Sequence, residues 1–233
     1  MKTFLFNILL SSAIAVPFIG MMSGCSDEDE NRFRPGSAQK PEPVTPEEGL
    51  DYTKLTAENH PRLLMNATDF TVLKDKISSN TSENLTLLHN TIIGLCNSKG
   101  MSSSALTYKL DASNKRILDV SREALLRIFT CAYAYRTTGD SKYLTHAEAD
   151  INAVCNFSDW NSKRHFLDVG EMATAVALGY DWLYNDLSET TRKKAADALL
   201  NFAFKPAQNK VWNLNFYTAT NNWNQVCNGG LVC

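Results

Sequence analysis

The sequence predicts an all-α protein, an incomplete α/α toroid built from antiparallel helix hairpins, and three observations carry that reading. From Ala67 onward apolar residues recur at helical spacing, and alternating β-branched runs are nearly absent. Nearly apolar segments such as Met172-Ala173-Thr174-Ala175-Val176-Ala177-Leu178 alternate with amphipathic ones. In a simple bundle every helix keeps one wet stripe, whereas an inner helix ringed by outer ones does not. Finally, Leu118-Asp119-Val120 returns as Leu167-Asp168-Val169 roughly fifty residues on, the length of a helical hairpin with its loops.

The first segment, residues 1–24, has the pattern of a lipoprotein signal peptide. Lys2 supplies a positive charge, Phe4 to Met22 is an apolar run, and Ser23-Gly24 places small residues before Cys25. Cleavage there leaves the Cys25 thiol to carry the lipid, which implies a bacterial outer-membrane lipoprotein, with a periplasmic protein as the alternative. Residues 25–58 read as a tether. Ser26-Asp27-Glu28-Asp29-Glu30 is either a solvated charge cluster or, by likeness, the surface-export signal of some outer-membrane lipoproteins, and Pro35, Pro41, Pro43 and Pro46 leave little to bury.

Residues 59–233 hold the helices, and about 170 residues suffice for a real core. Thr68 or Asp69 caps a first helix through Phe70, Leu73 and Ile77. Ser82 and Glu83 open a second carrying Leu85, Leu88, Ile92 and Leu95. A polar stretch, Asn97 to Ser104, separates this pair from the next. The two LDV triplets each precede a long apolar helix. Thr138-Gly139-Asp140 leads from the first into a more charged helix, Lys142 to Phe157, and Leu187-Ser188-Glu189 from the second into Thr191 to Phe204. Ser188 is a good N-cap, Pro206 stops the helix, and Asp181 and Trp182 pack toward the outer layer. Asn221 onward opens the next inner helix, and with no helix stop after Val232 the segment reads as part of a longer protein.

A formal net charge of -2 offers no basic field for nucleic acid. There is no P-loop, dinucleotide-binding glycine pattern, zinc-spaced His/Cys cluster or nucleophile elbow, so no metal and no cofactor is expected. Besides Cys25, the cysteines at 96, 131, 155, 227 and 233 fall in apolar helical patterns and read as buried thiols, although an exported compartment permits a bridge or two. Of the four histidines, His60 belongs to the lead-in His-Pro-Arg, His89 and His146 sit in amphipathic helices, and His165 lies in the loop before Asp168. Asp168 and Glu171 are spaced either as an acid/base pair or as a cap in which Asp168 is the N-cap and Glu171 reaches back to it.

The stretch Asn221-Asn222-Trp223-Asn224-Gln225-Val226-Cys227-Asn228 is harder to explain as packing, because buried asparagine is costly without partners. It serves either as a helix start, with Asn222 as cap and Trp223 and Val226 inward, or as a ligand site. A helix N-terminus offers unpaired N–H groups to a carboxylate, Asn222 or Asn224 adds amide donors, and Trp223 offers a face to a sugar ring.

Four stretches in order resemble the N-terminal helical domain of the heparinase II/III-like polysaccharide lyases: His60-Pro61-Arg62-Leu63-Leu64; Leu167-Asp168-Val169-Gly170-Glu171-Met172-Ala173; Gly179-Tyr180-Asp181-Trp182-Leu183-Tyr184; and Asn222 through Gly230. The resemblance implies an α/α toroid followed by a β-sandwich, acting on an acidic polysaccharide or oligosaccharide, heparin-like or alginate-like, by β-elimination. In that mechanism donors neutralise the uronate carboxylate, a tyrosine or histidine removes the C5 proton, and a tyrosine protonates the leaving oxygen. It implies Asn224 as the neutralising donor, with Asn222 second and Trp223 as the sugar platform. Gln225 and Glu171 within these motifs, and His165 in the loop before the second, complete the candidate substrate contacts. The proton-transferring tyrosine and a histidine are expected in later segments, so these 233 residues alone are expected to be inactive. Two rivals are a toroidal glycoside hydrolase using Asp168 or Glu171 as acid, and a surface glycan-binding lipoprotein without turnover.

Overall fold

A computed structural model describes residues 59–208 and 215–232. The signal peptide (1–24), the tether (25–58), the lipidated Cys25 and Cys233 lie outside the described residues. Within the described residues every regular element is helical and there is no strand, so the chain is all-α as the sequence predicts. None of these helices is long and apolar enough to cross a membrane.

Helix α1 (Ala67–Ser78) begins two residues earlier than a Thr68 cap allows and three earlier than an Asp69 cap allows. Asn66 holds an extended backbone, its side chain accepts from Asp69 N, and the Asp69 carboxylate accepts from Asn66 N, so Asp69 closes the box instead of opening it. Helix α2 (Glu83–Leu95) is capped by Ser82 as expected, then continues through a wide turn at Cys96–Gly100 where the sequence suggested a break. Gly100 is needed there because a Cβ would stand 2.5 Å from Thr130 Oγ1 on the following helix.

The LDV triplets form first turns and do not precede their helices. Helix α3 (Leu118–Thr138) starts on the first triplet and ends at Gly139, whose φ of 75° is left-handed. Helix α4 (Ser141–Cys155) is capped by Asp140 and packs on α3, where Arg127 and Asp150 form a buried pair at 2.6 Å. Helix α5 (Phe166–Leu183) carries the second triplet. Helix α6 (Glu189–Ala198), capped by Ser188, runs on through a wide turn, Leu199–Phe204, into Lys205–Ala207. Pro206 therefore lies inside the helical stretch. It falls in the first turn of a new α segment, where its missing N–H is tolerated, and the helix ends at Ala207. A 3-10 turn at Asn215–Thr218 precedes α7 (Asn222–Val232).

Helix α5 is the centre. Every residue of it except Glu171, Thr174 and Tyr180 is buried, whereas α1 buries only Phe70 and α2 only Ile92. Three helices lie side by side and run the same way. Ser121 Oγ donates to Asp168 O, Arg122 meets Glu171, and Gly179 meets Ile128, so α3 and α5 advance together. His165 faces Trp223 and Gly170 abuts Cys227 and Gly230, so α7 advances with α5. The α5–α7 crossing is a glycine contact. A Cβ on Gly170 would come 2.7 Å from Val226 O, and one on Gly230 would run into the Gly170 backbone.

At the far end of α5 the lead-in segment is tied down by Asp181, which accepts from His60 Nδ1 at 2.6 Å and from the backbone N–H groups of Arg62 and Leu63 at 2.8 Å. Trp182 Nε1 donates to Leu63 O, and its ring meets Phe70 and Phe129. Asp181 and Trp182 thus fasten the His-Pro-Arg segment, and the Trp182 ring packs on α1 and α3 as well. Cys96, Cys131, Cys155 and Cys227 are free and buried.

Candidate functional site

The loop before α5 sets the site. Asn161 takes a left-handed φ of 64°, and its carbonyl accepts from Arg164 N and His165 N, turning the chain so that His165 becomes the N-cap residue of α5. Asp168 is therefore not the cap. Its carboxylate turns away to the start of α3, where it accepts from Arg116 Nε at 3.1 Å, Arg116 Nη2 at 2.8 Å and Ile117 N at 2.8 Å, with Asn161 Nδ2 at 2.9 Å. The orphan N–H and guanidinium at α3 need an acceptor, and the first turn of α5 supplies it. Burial pushes the Asp168 carboxyl up, against the bonds from Asn161, Arg116 and Ile117. With 0 % exposure it cannot touch a substrate.

Glu171 does not reach back to a cap either. Its two oxygens accept from Arg122 Nε at 3.1 and 3.2 Å, and burial raises its carboxyl while the Arg122 charge opposes the shift. Arg122 and Glu171 occupy the same place in the two LDV segments, so equal register on parallel neighbours brings opposite charges together. Asp119, the counterpart of Asp168, is exposed.

Of the sequence-predicted substrate contacts, His165 and Trp223 meet. Their rings lie 4.6 Å apart at 47°, both half-buried, at the N-terminal ends of α5 and α7. His165 Nδ1 stands 3.5 Å from Asp168 Oδ1. Glu171 faces α3 instead and stays outside this pair.

Along α7 the predicted residues divide by helical phase. Trp223, Cys227 and Gly230 turn toward α5, while Asn224, Gln225, Asn228, Gly229 and Val232 line an open recess of about 450 Å³ against Leu63 and Leu64. Asn222 is exposed in the first turn. The cap is Asn221, not Asn222, because Asn221 Oδ1 accepts from Trp223 N at 3.1 Å. Asn224 Nδ2 donates to Phe216 O at 3.3 Å and Tyr217 O at 2.9 Å, so its amide hydrogens hold the preceding 3-10 turn.

No protein-family model and no curated protein matches the chain. The family likeness rests on the chain's own motifs.

Sequence reasoning missed Arg116, Asn161 and Arg122, the polar partners that set the first turns of α3 and α5. Arg122 was within reach, since superposing the two LDV segments places it on Glu171. Arg116 and Asn161 lie in loops outside the repeat and carry no periodic signal. Within the described residues no cluster of His, Cys, Asp and Glu has the makings of a metal site.

Proposed function

We propose that this chain is the helical part of a heparinase II/III-like polysaccharide lyase, with α3, α5 and α7 as inner helices of an α/α toroid assembled from helix hairpins. It receives an acidic polysaccharide at the N-terminal ends of α5 and α7 and takes part in β-elimination. The observation that supports this most is the His165–Trp223 contact, which joins two residues far apart in sequence that are each expected to be substrate contacts. A ring edge and an imidazole beside two helix N-termini suit a sugar bearing a carboxylate. The common direction of α3, α5 and α7 is what inner helices of a toroid require.

Within this reading the neutralising role passes from Asn224 to Asn222. Asn224 has both amide hydrogens directed at backbone carbonyls, whereas Asn222 is exposed in the first turn of α7. Gln225 lies on the recess side and contacts substrate only if the chain of sugars passes over Leu63–Leu64. Proton transfer belongs to the tyrosine and histidine that the resemblance assigns to later segments. A lipid on Cys25 holds the protein at the outer membrane, facing the periplasm or the exterior.

The commitment of Asn224 favours a second reading, a surface lipoprotein that binds glycan without turnover. The glycoside hydrolase reading loses Asp168 as its acid, because that carboxylate is sealed from solvent. The test incubates heparin-like, alginate-like and chondroitin-like polymers with the 233 residues and with the whole gene product. Unsaturated products absorbing in the ultraviolet are expected from the whole product and not from the 233 residues. Binding that Trp223→Ala abolishes, with no such products from either, establishes the second reading instead.

A further inference from the structure

We propose that Cys96 and Cys131 form an intrachain disulfide when the chain folds in an oxidising compartment, strapping α2 to α3. Their sulfur atoms lie 3.6 Å apart, and both residues are completely buried. No other two cysteine sulfurs are in contact among the described residues. Closing to a covalent bond of about 2.05 Å requires the sulfurs to approach by roughly 1.5 Å.

The wide turn at Cys96–Gly100 carries Cys96 as its first residue and sets it against Cys131 of α3. It brings Gly100 directly over the pair, where a Cβ would be 3.4 Å from Cys96 Sγ and 3.6 Å from Cys131 Sγ. Cys131 Sγ is 3.6 Å from Gly100 O, so thiol, thiol and carbonyl form one buried group. The strap has a mechanical purpose. Helix α2 buries only Ile92 and α1 only Phe70, so this end of the molecule has little apolar burial of its own to hold it.

The reaction needs a disulfide oxidant, such as oxidised glutathione or a dithiol oxidase of an exported compartment. One thiolate attacks the oxidant's disulfide and releases the first thiol, giving a mixed disulfide. The second cysteine then attacks the protein sulfur of that mixed disulfide and expels the other thiol. Two protons and two electrons leave the cysteine pair, and the oxidant's disulfide is reduced. Either sulfur can make the first attack, because each can donate to the other in the pair. Because both are buried in the folded chain, exchange takes place before α2 closes on α3 or when it opens.

The test refolds the full chain in buffer with excess oxidised glutathione, then denatures it, alkylates without reductant and maps the peptides. The expected result is Cys96 and Cys131 unlabelled until reduction and joined in one peptide pair about 2 Da lighter than the reduced sum. Oxidised protein is also expected to melt on the order of 10 °C higher than reduced protein, a difference absent from Cys131→Ala. Alkylation of both thiols before reduction, or bridging of either to Cys155, Cys227 or Cys233, overturns the proposal. If Cys131→Ala fails to fold, the peptide map of the unaltered chain decides alone.

Discussion

At the N-terminal end of α5 the Asp168 carboxylate gathers a guanidinium, a backbone N–H and a side-chain amide, and at the other end Asp181 gathers an imidazole and two backbone N–H groups. Both carboxylates are enclosed and both tie a non-helical segment to α5. Removing one leaves donors without an acceptor in a largely enclosed site, which costs more than the bonds themselves contribute. Asp168→Ala is therefore expected to lose about 3–5 kcal/mol of stability, because Arg116 keeps its charge with only 18 % of its side chain exposed. Equilibrium unfolding in urea measures this directly. An unchanged midpoint would show that Arg116 finds water or another acceptor. The spacing of Asp168 and Glu171 invited a capping box, but spacing within one helix says nothing of the orphan donors on a neighbour. Those donors, at Arg116 and Ile117, decided where the carboxylate went.

Between elements, the decisive contacts are made by the smallest residues. The run Asn228-Gly229-Gly230 closes the sequence motif, and its two glycines have opposite environments: Gly230 lies against the Gly170 backbone, whereas a Cβ on Gly229 would meet nothing within 4 Å. Gly230→Ala is expected to force α7 off α5 and cost roughly 1–3 kcal/mol despite the helical preference of alanine. Gly229→Ala is expected to gain up to about 1 kcal/mol from that same preference. Denaturant midpoints of the two variants should therefore move in opposite directions, and equal shifts would mean that the crossing is not held at Gly230. Legibility at this scale followed locality. The caps at Ser82 and Ser188 were readable because the N–H they accept lies three residues on. The crossing at Gly170 and Gly230 was not, because a glycine pair shows its purpose only once two helices are placed side by side. The repeat offered an intermediate case: the LDV register was visible, and it carries the Arg122–Glu171 pair.

Across the molecule, burial falls off from α5 toward the first helices, and this gradient was already present in the sequence as an apolar inner segment followed or preceded by charged ones. The all-α class was legible for the same reason, since helical periodicity persists through every described element. Which parts open first follows from the gradient. Sub-global opening exposes the segments with the least buried apolar surface, and amide exchange reports the free energy of each opening. Amides in α5 between Val169 and Trp182 should exchange at the limit set by global unfolding, because nearly every side chain there is enclosed. Those in α1 and α2, with one buried residue each, should exchange faster by several orders of magnitude under reducing conditions, where no disulfide straps α2 to α3. Helix α7 is intermediate, fixed by Cys227 and Gly230 on one side and open to the recess on the other. Native-state hydrogen exchange read by mass spectrometry orders these segments without any variant. Equal protection in α1, α2 and α5 would mean that the first helices are stabilised by a surface beyond the contacts at Phe70 and Ile92, and that stability is not distributed as burial predicts.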